Sequence, residues 1–203
     1  MASISELGNL DSKQSFYDPL EKEKPKTKLL EGNYYANITD MKVSSGITIR
    51  NKYSADIYNF TVTVHKENSN AKYKTKDGEE SGEQFIGREI KSNGVFNFLV
   101  PSNGDFEANP GGNESFFRFC QAIELKIPTK TIKAEDDVER EIHMLPTSLS
   151  KADCLGKPVI VYVGKTKPFV NLEGETITPI KVKNFTKWDE GEKLNLVEDD
   201  VPF

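Results

Sequence analysis

In IKVKNFTKW, residues 180–188, Lys181, Lys183, Phe185 and Lys187 stand at two-residue spacing, and Trp188 follows at once. Alternate side chains of an extended strand share one face, so this spacing lines up three ammonium groups beside an aromatic ring. Cations along a groove neutralise phosphates, and planar rings receive unpaired bases; the combination binds single strands without a hydrogen-bond code. A face with three lysines is a solvated face, so Phe185 either stands outward as a stacking platform, the favoured reading, or sits beyond the strand end. ITIRNKY offers a second such group, with Arg50 and Lys52 on one strand face and Tyr53 at the strand end. Between them VHKENSNAKYKTK adds His65, Lys66, Lys72, Tyr73, Lys74 and Lys76 to the candidate DNA contacts. The chain has 23 lysines and 4 arginines. Lysine acts as a point charge and arginine as a bidentate reader of guanine edges, so little base preference is expected.

The net charge of −5 opposes this reading only until it is divided along the chain. Residues 189–203 hold six carboxylates against Lys193 alone, and this tail carries the entire excess. The preceding 188 residues are balanced, and within them residues 41–76 have seven cationic side chains against Asp56 and Glu67. A basic region is thus joined to an acidic tail through one chain.

Catalytic chemistry finds little footing. His65, His143, Cys120 and Cys154 show no short-range pairing, as a metal site or a Cys-x-x-Cys centre would require. A Cys–His nucleophile assembled in space from Cys120 or Cys154 with His143 has no local support. Neither G-x-x-x-x-G-K-[ST] nor G-x-G-x-x-G is present, and NPGGNE reads as a turn. No enzyme activity, cofactor or metal is expected. MASISELGNL lacks the basic start and apolar run of a secretory signal, and no stretch approaches the roughly 20 apolar residues of a membrane span. The expected location is the cytoplasm.

The elements that must position these residues are mostly short strands. Residues 1–30 read as a flexible arm, because KEKPKTK has no apolar period and Pro25 interrupts a helix. Residues 31–188 form the folded domain. IYNFTVTVHK is its clearest strand, with Tyr58, Phe60, Val62 and Val64 on the core face. ENSNAKYKTKDGEESGE reads as a long polar hairpin loop. Asn113 as N-cap, with Phe116, Phe119, Cys120 and Ile123 at helical spacing, predicts one helix of about three turns with a buried stripe. KAEDDVEREIHM fits either a short exposed helix or a charged loop. Strands return in KPVIVYVGK and TITPIKVKNF, bridged by FVNLEGE with a turn at Gly174. About six strands with one or two helices predict a mainly β domain, with an OB-like small antiparallel β-barrel as the nearest architecture.

The chain ends in EDDVPF: Glu198, Asp199, Asp200, Val201, Pro202 and Phe203. This end resembles the acidic tip of bacterial single-stranded-DNA-binding proteins, a run of aspartates followed by an aliphatic residue, proline and phenylalanine, with Glu198 where an aspartate is usual. Phage replication-type proteins of this class have a similar tail. The resemblance implies sequence-independent binding of single-stranded DNA in replication, recombination and repair, in the host cytoplasm if the chain is phage-encoded. It also implies that residues 198–203 dock on a DNA polymerase, helicase or primase, the ring of Phe203 entering an apolar pocket while the acids meet basic side chains at its rim. Bacterial members place a long linker before the tip, whereas here the connection from Trp188 is short. The alternative is an acidic, DNA-mimicking interaction or inhibitor module with no DNA affinity of its own. Self-association into a homo-oligomer is left open.

Overall fold

The computed structural model describes residues 28–76, 78–99, 111–133 and 138–189. In chain order the strands begin with β1 (Gly32–Ile49) and β2 (Tyr53–Val64), followed by a 3-10 turn over Lys66–Asn70 and a small hairpin of β3 (Lys72–Thr75) and β4 (Gly78–Ser81). Then come β5 (Glu89–Lys91), β6 (Val95–Phe98) and the helix α1 (Glu114–Ala122). A hairpin of β7 (Thr129–Lys133) and β8 (Glu139–His143) leads to the one-turn helix α2 (Lys151–Cys154) and to β9 (Pro158–Lys165). The hairpin of β10 (Phe169–Val170) and β11 (Thr176–Ile177) precedes β12 (Ile180–Lys187). The fold is mainly β, with antiparallel pairing between its strands.

The principal sheet runs β12-β9-β1-β2-β5, and β6 continues alongside β2 where β5 leaves off. Its outermost members meet: Ser92, just after β5, forms a parallel bridge to Val182 of β12, and the Asn93 N–H donates to the Val182 carbonyl at 2.9 Å. This arrangement is compatible with an OB-like barrel. The interruption between β5 and β6 is satisfied by a side chain, since the buried Ser92 hydroxyl accepts the Phe60 N–H at 2.8 Å. A missing ladder bond is thereby replaced, as a buried backbone donor requires.

The core is largely aromatic. Phe60 stacks on Phe119 at 4.4 Å and Tyr58 on Phe116 at 5.7 Å, which seats α1 on the inner face of β2. A nine-residue helix is unstable alone, so α1 depends on this packing. Burial of each phenylalanine contributes about 1.5–3 kcal/mol. The expected stripe of Phe116, Phe119, Cys120 and Ile123 is indeed buried. Asn113 occupies the N-cap position but makes no side-chain cap bond; its amide instead donates to the Phe98 carbonyl at 2.9 Å and accepts the Phe98 N–H at 2.7 Å, extending the β6 pairing.

Four expectations about local structure need correction. Arg50 and Asn51, both at positive φ, form the turn between β1 and β2 rather than a strand face, with the Lys52 N–H bonded to the Ile49 carbonyl at 3.0 Å. The excursion after His65 is a packed element. Asn68 is fully buried, accepts the Tyr35 N–H and the Tyr73 hydroxyl, and donates to the carbonyls of Tyr35 and His65. The described part of KAEDDVEREIHM is strand rather than helix or loop: β8 pairs with β7, anchored where His143 stacks on Phe117 at 4.4 Å, and residues 134–137 lie outside the described residues. Finally, Leu29 and Leu30 pack against the core, and the Tyr34 hydroxyl donates to the Leu30 carbonyl at 2.8 Å, so the folded part begins before residue 31. The rest of the arm lies outside the described residues.

Candidate nucleic-acid interface

The lysines of β12 owe their position to a bulge. Pairing with β9 shifts register between Val182 and Asn184, placing Lys183 and Asn184 both on the exposed side. An extra residue in one strand inverts the alternation beyond it. Phe185 therefore turns inward, 5% exposed, with its ring edge-on to Phe60 at 5.7 Å and to Phe119 at 5.0 Å. The expectation of a Phe185 platform is overturned.

Lys183 has other company. Its methylene stem lies over Gly164 of β9, where a Cβ would come within 3.2 Å of it. Tyr162, on the same face of β9, is 36% exposed. The chain leaves β9 and returns to β12 through a root tied by the Thr166 N–H and hydroxyl, both donating to the Pro179 carbonyl at 2.8 and 3.1 Å. That root brings Lys165 and Lys167 beside Lys181 and Lys183, and all four line one open groove with Asn93 and Phe169. Phe169 is 51% exposed at the start of β10. The Lys165 ammonium lies 4.0 Å from Glu31, a loose, solvated pair. The groove thus combines four cations with an exposed ring.

A second depression adjoins it, sharing Lys183, and is bordered by Gly94, Phe96 and Phe98. Phe96 and Phe98 pair with Ile57 and Ala55, so they stand on the outer face of β2, where Tyr53 meets Phe98 edge-on at 6.2 Å. Phe96 and Phe98 stack at 6.1 Å, both half-buried. Gly94 has φ 89°, and a Cβ there would press on Ile57 at 3.1 Å; glycine alone lets the chain pass this close to the sheet at that angle. Three rings and a lysine edge therefore lie on one side of the molecule, and two of the rings, Phe96 and Phe98, were not among the expected contacts. Lys165, Lys167 and Phe169 were missed as well.

The other expected contacts disperse. Lys187 pairs with Glu124 at 2.8 Å, which holds the Glu124 carboxyl below its usual range and raises the ammonium above its own. Trp188 packs on Tyr35 at 4.7 Å and edge-on to His65 at 4.9 Å, in a separate cavity. Tyr73 is 1% exposed, stacked on Tyr34 at 4.5 Å, with its hydroxyl donating to the Asn33 carbonyl; it cannot receive a base. Lys72 meets Glu79 at 3.4 Å across the β3–β4 hairpin, on which Lys74 and Lys76 are exposed, as is Lys66 before it. Glu198, Asp199, Asp200, Val201, Pro202 and Phe203 lie outside the described residues.

Other chemistry is sparse. Cys120 and Cys154 are free, fully buried thiols, pushed up to about 11 and about 12 by burial. A thiol so far from ionisation is a poor nucleophile. Among the described residues, no three His, Cys, Asp or Glu side chains converge as metal ligands, and no helix is long and apolar enough to cross a membrane. The chain matches no protein-family model and no curated protein sequence.

Proposed function

We propose that this protein binds single-stranded DNA without regard to sequence, as a non-enzymatic component of replication, recombination and repair. The observation that carries the reading is the groove that Lys165, Lys167, Lys181 and Lys183 line together with the exposed ring of Phe169. Cations track the phosphates and rings accept bases, and lysine rather than arginine supplies the charge of this groove. We read the strand order as an OB-like barrel, in which β1, β2, the β5–β6 pair, β9 and β12 are the five barrel strands. Oligonucleotides bind such barrels across the second and third strands and the loops between strands one and two and between four and five. The counterparts here are the Phe96–Phe98 face, the Arg50 turn and the β10–β11 hairpin. The acidic end EDDVPF then recruits a polymerase, helicase or primase, and competes with DNA for the groove until a strand displaces it.

The test is a titration of fluorescent oligo-dT against salt. Binding is expected at ~50 mM salt, with a log–log slope near about −3 if four phosphates are neutralised. Absence of binding at that salt would overturn the reading and leave the acidic, DNA-mimicking module in its place. Removal of residues 194–203 is expected to raise affinity, most at low salt, where a tethered anion competes best.

A further inference from the structure

We infer that the cavity around Trp188 receives an arginine-bearing segment of a protein partner, not DNA. The inference rests on the reading of the tail as a recruiter, and gives that tail a structured root. β12 ends at Lys187, and the next two residues line a cavity of about 900 Å³ together with Tyr35, His65, Glu67 and Glu124. Trp188 packs on Tyr35 at 4.7 Å and meets His65 edge-on at 4.9 Å, so the indole is braced rather than swinging free. His65 Nδ1 accepts the Glu67 N–H at 3.3 Å, which fixes the backbone that carries the Glu67 carboxylate.

Charge decides what this cavity favours. Glu67, Glu124 and Asp189 line it against the single ammonium of Lys187, which is already committed to Glu124 at 2.8 Å. Carboxylates at the mouth repel phosphate and attract cations, and the half-buried indole of Trp188 attracts cations too, while the buried Tyr35 ring only braces it. Guanidinium satisfies both demands, since it stacks flat on a ring while its edge meets a carboxylate. From Asp189 the chain continues directly into Glu190 and Glu192. A basic partner would therefore find further acids in the sequence directly after the ring-lined socket. This also explains why Trp188, His65 and Lys187 stand apart from the lysine groove.

Trp188 is the only tryptophan, so its fluorescence reports on the cavity directly. In the full chain at ~50 mM salt, hexa-arginine amide is expected to change the emission saturably, and hexa-glutamine amide to leave it unchanged. The double substitution Glu67→Gln, Glu124→Gln should weaken the response roughly tenfold, as expected for loss of two carboxylates near a cation. Affinity for labelled oligo-dT, read separately by anisotropy, should stay as it was. A chain ending at Asp189 should still respond, more weakly. Three results overturn the inference: no response to the peptide, a response lost entirely on truncation, or saturable quenching of Trp188 by oligo-dT in the truncated chain. None of these alters the anisotropy measurement, so the DNA-binding reading stands or falls independently.

Discussion

The rings of Phe119 and Phe185 meet edge to face with centroids 5.0 Å apart, joining α1 to β12 beneath the lysines of the groove. Removal of a fully packed ring costs both transfer energy and a cavity. Phe185→Ala should therefore destabilise the fold by about 3–5 kcal/mol, measured by urea denaturation. The fraction that remains folded should bind oligo-dT with unchanged affinity. Lost affinity without lost stability would return Phe185 to the surface.

The cations of the groove should act additively through salt. Substitution of Lys165, Lys167, Lys181 and Lys183 by alanine is expected to weaken oligo-dT binding and to flatten the log–log salt dependence by about 0.7 for each phosphate contact removed. Lys187→Ala, which removes a cation paired with Glu124 in the other cavity, should leave that slope alone. Equal effects from both changes would place the strand across the whole of β12.

Stacking can be separated from packing by exposure. Phe169 is 51% exposed, so Phe169→Ala should cost about 1–3 kcal/mol of binding while thermal unfolding shifts little. Phe96→Ala should weaken binding by a similar amount, with some loss of stability because that ring is half-buried. Binding unchanged in both variants would remove the rings from the interface and leave a purely electrostatic one.

Alkali should unfold the protein through groups that burial keeps protonated. The Tyr34 and Tyr73 hydroxyls and both thiols are shifted upward, chiefly by desolvation. The folded chain therefore holds protons that the unfolded chain gives up, and stability must fall as pH rises. The loss should begin near the ordinary thiol value of 9.0 and continue through about 11–12, where Cys120 and Cys154 titrate in the fold. Urea midpoints at pH 8, 9.5 and 10.5 check this. A midpoint independent of pH would mean that these groups ionise without unfolding.

How far the sequence reveals this molecule depends on whether its periods run unbroken. The alternation through Tyr58, Phe60, Val62 and Val64 is regular, and all four are buried as it predicts. The helical stripe of α1 is equally plain. In β12 the alternation is broken by a bulge, and a bulge depends on pairing with β9 that no local pattern announces. Lysine at 181, 183 and 187 made residue 185 look solvated, although 185 and 187 lie beyond the shift. Phe96 and Phe98 were hidden by the opposite effect. Polarity would turn them inward and Asn97 outward, yet Asn97 is 5% exposed and its amide donates to the Thr147 carbonyl at 3.3 Å. Lys165 and Lys167 join the groove because β9 pairs with β12 and the Thr166–Pro179 bonds close the loop beyond, pairings absent from their spacing.

The interruption at Ser92 has a consequence for the shape of the surface above it. A continuous strand in place of β5 and β6 would present its N–H and C=O groups to β2 throughout, and the Asn93 N–H would have no reason to turn toward Val182. Because the Ser92 hydroxyl takes over the bond to Phe60, the backbone is released to bend at that residue, and the bend joins β12 to the far side of the sheet. Asn93 and Gly94 sit at that corner, one bordering the lysine groove and the other the aromatic depression. A single hydroxyl standing in for a peptide group thus sets the corner at which the two recesses adjoin, with Lys183 common to both.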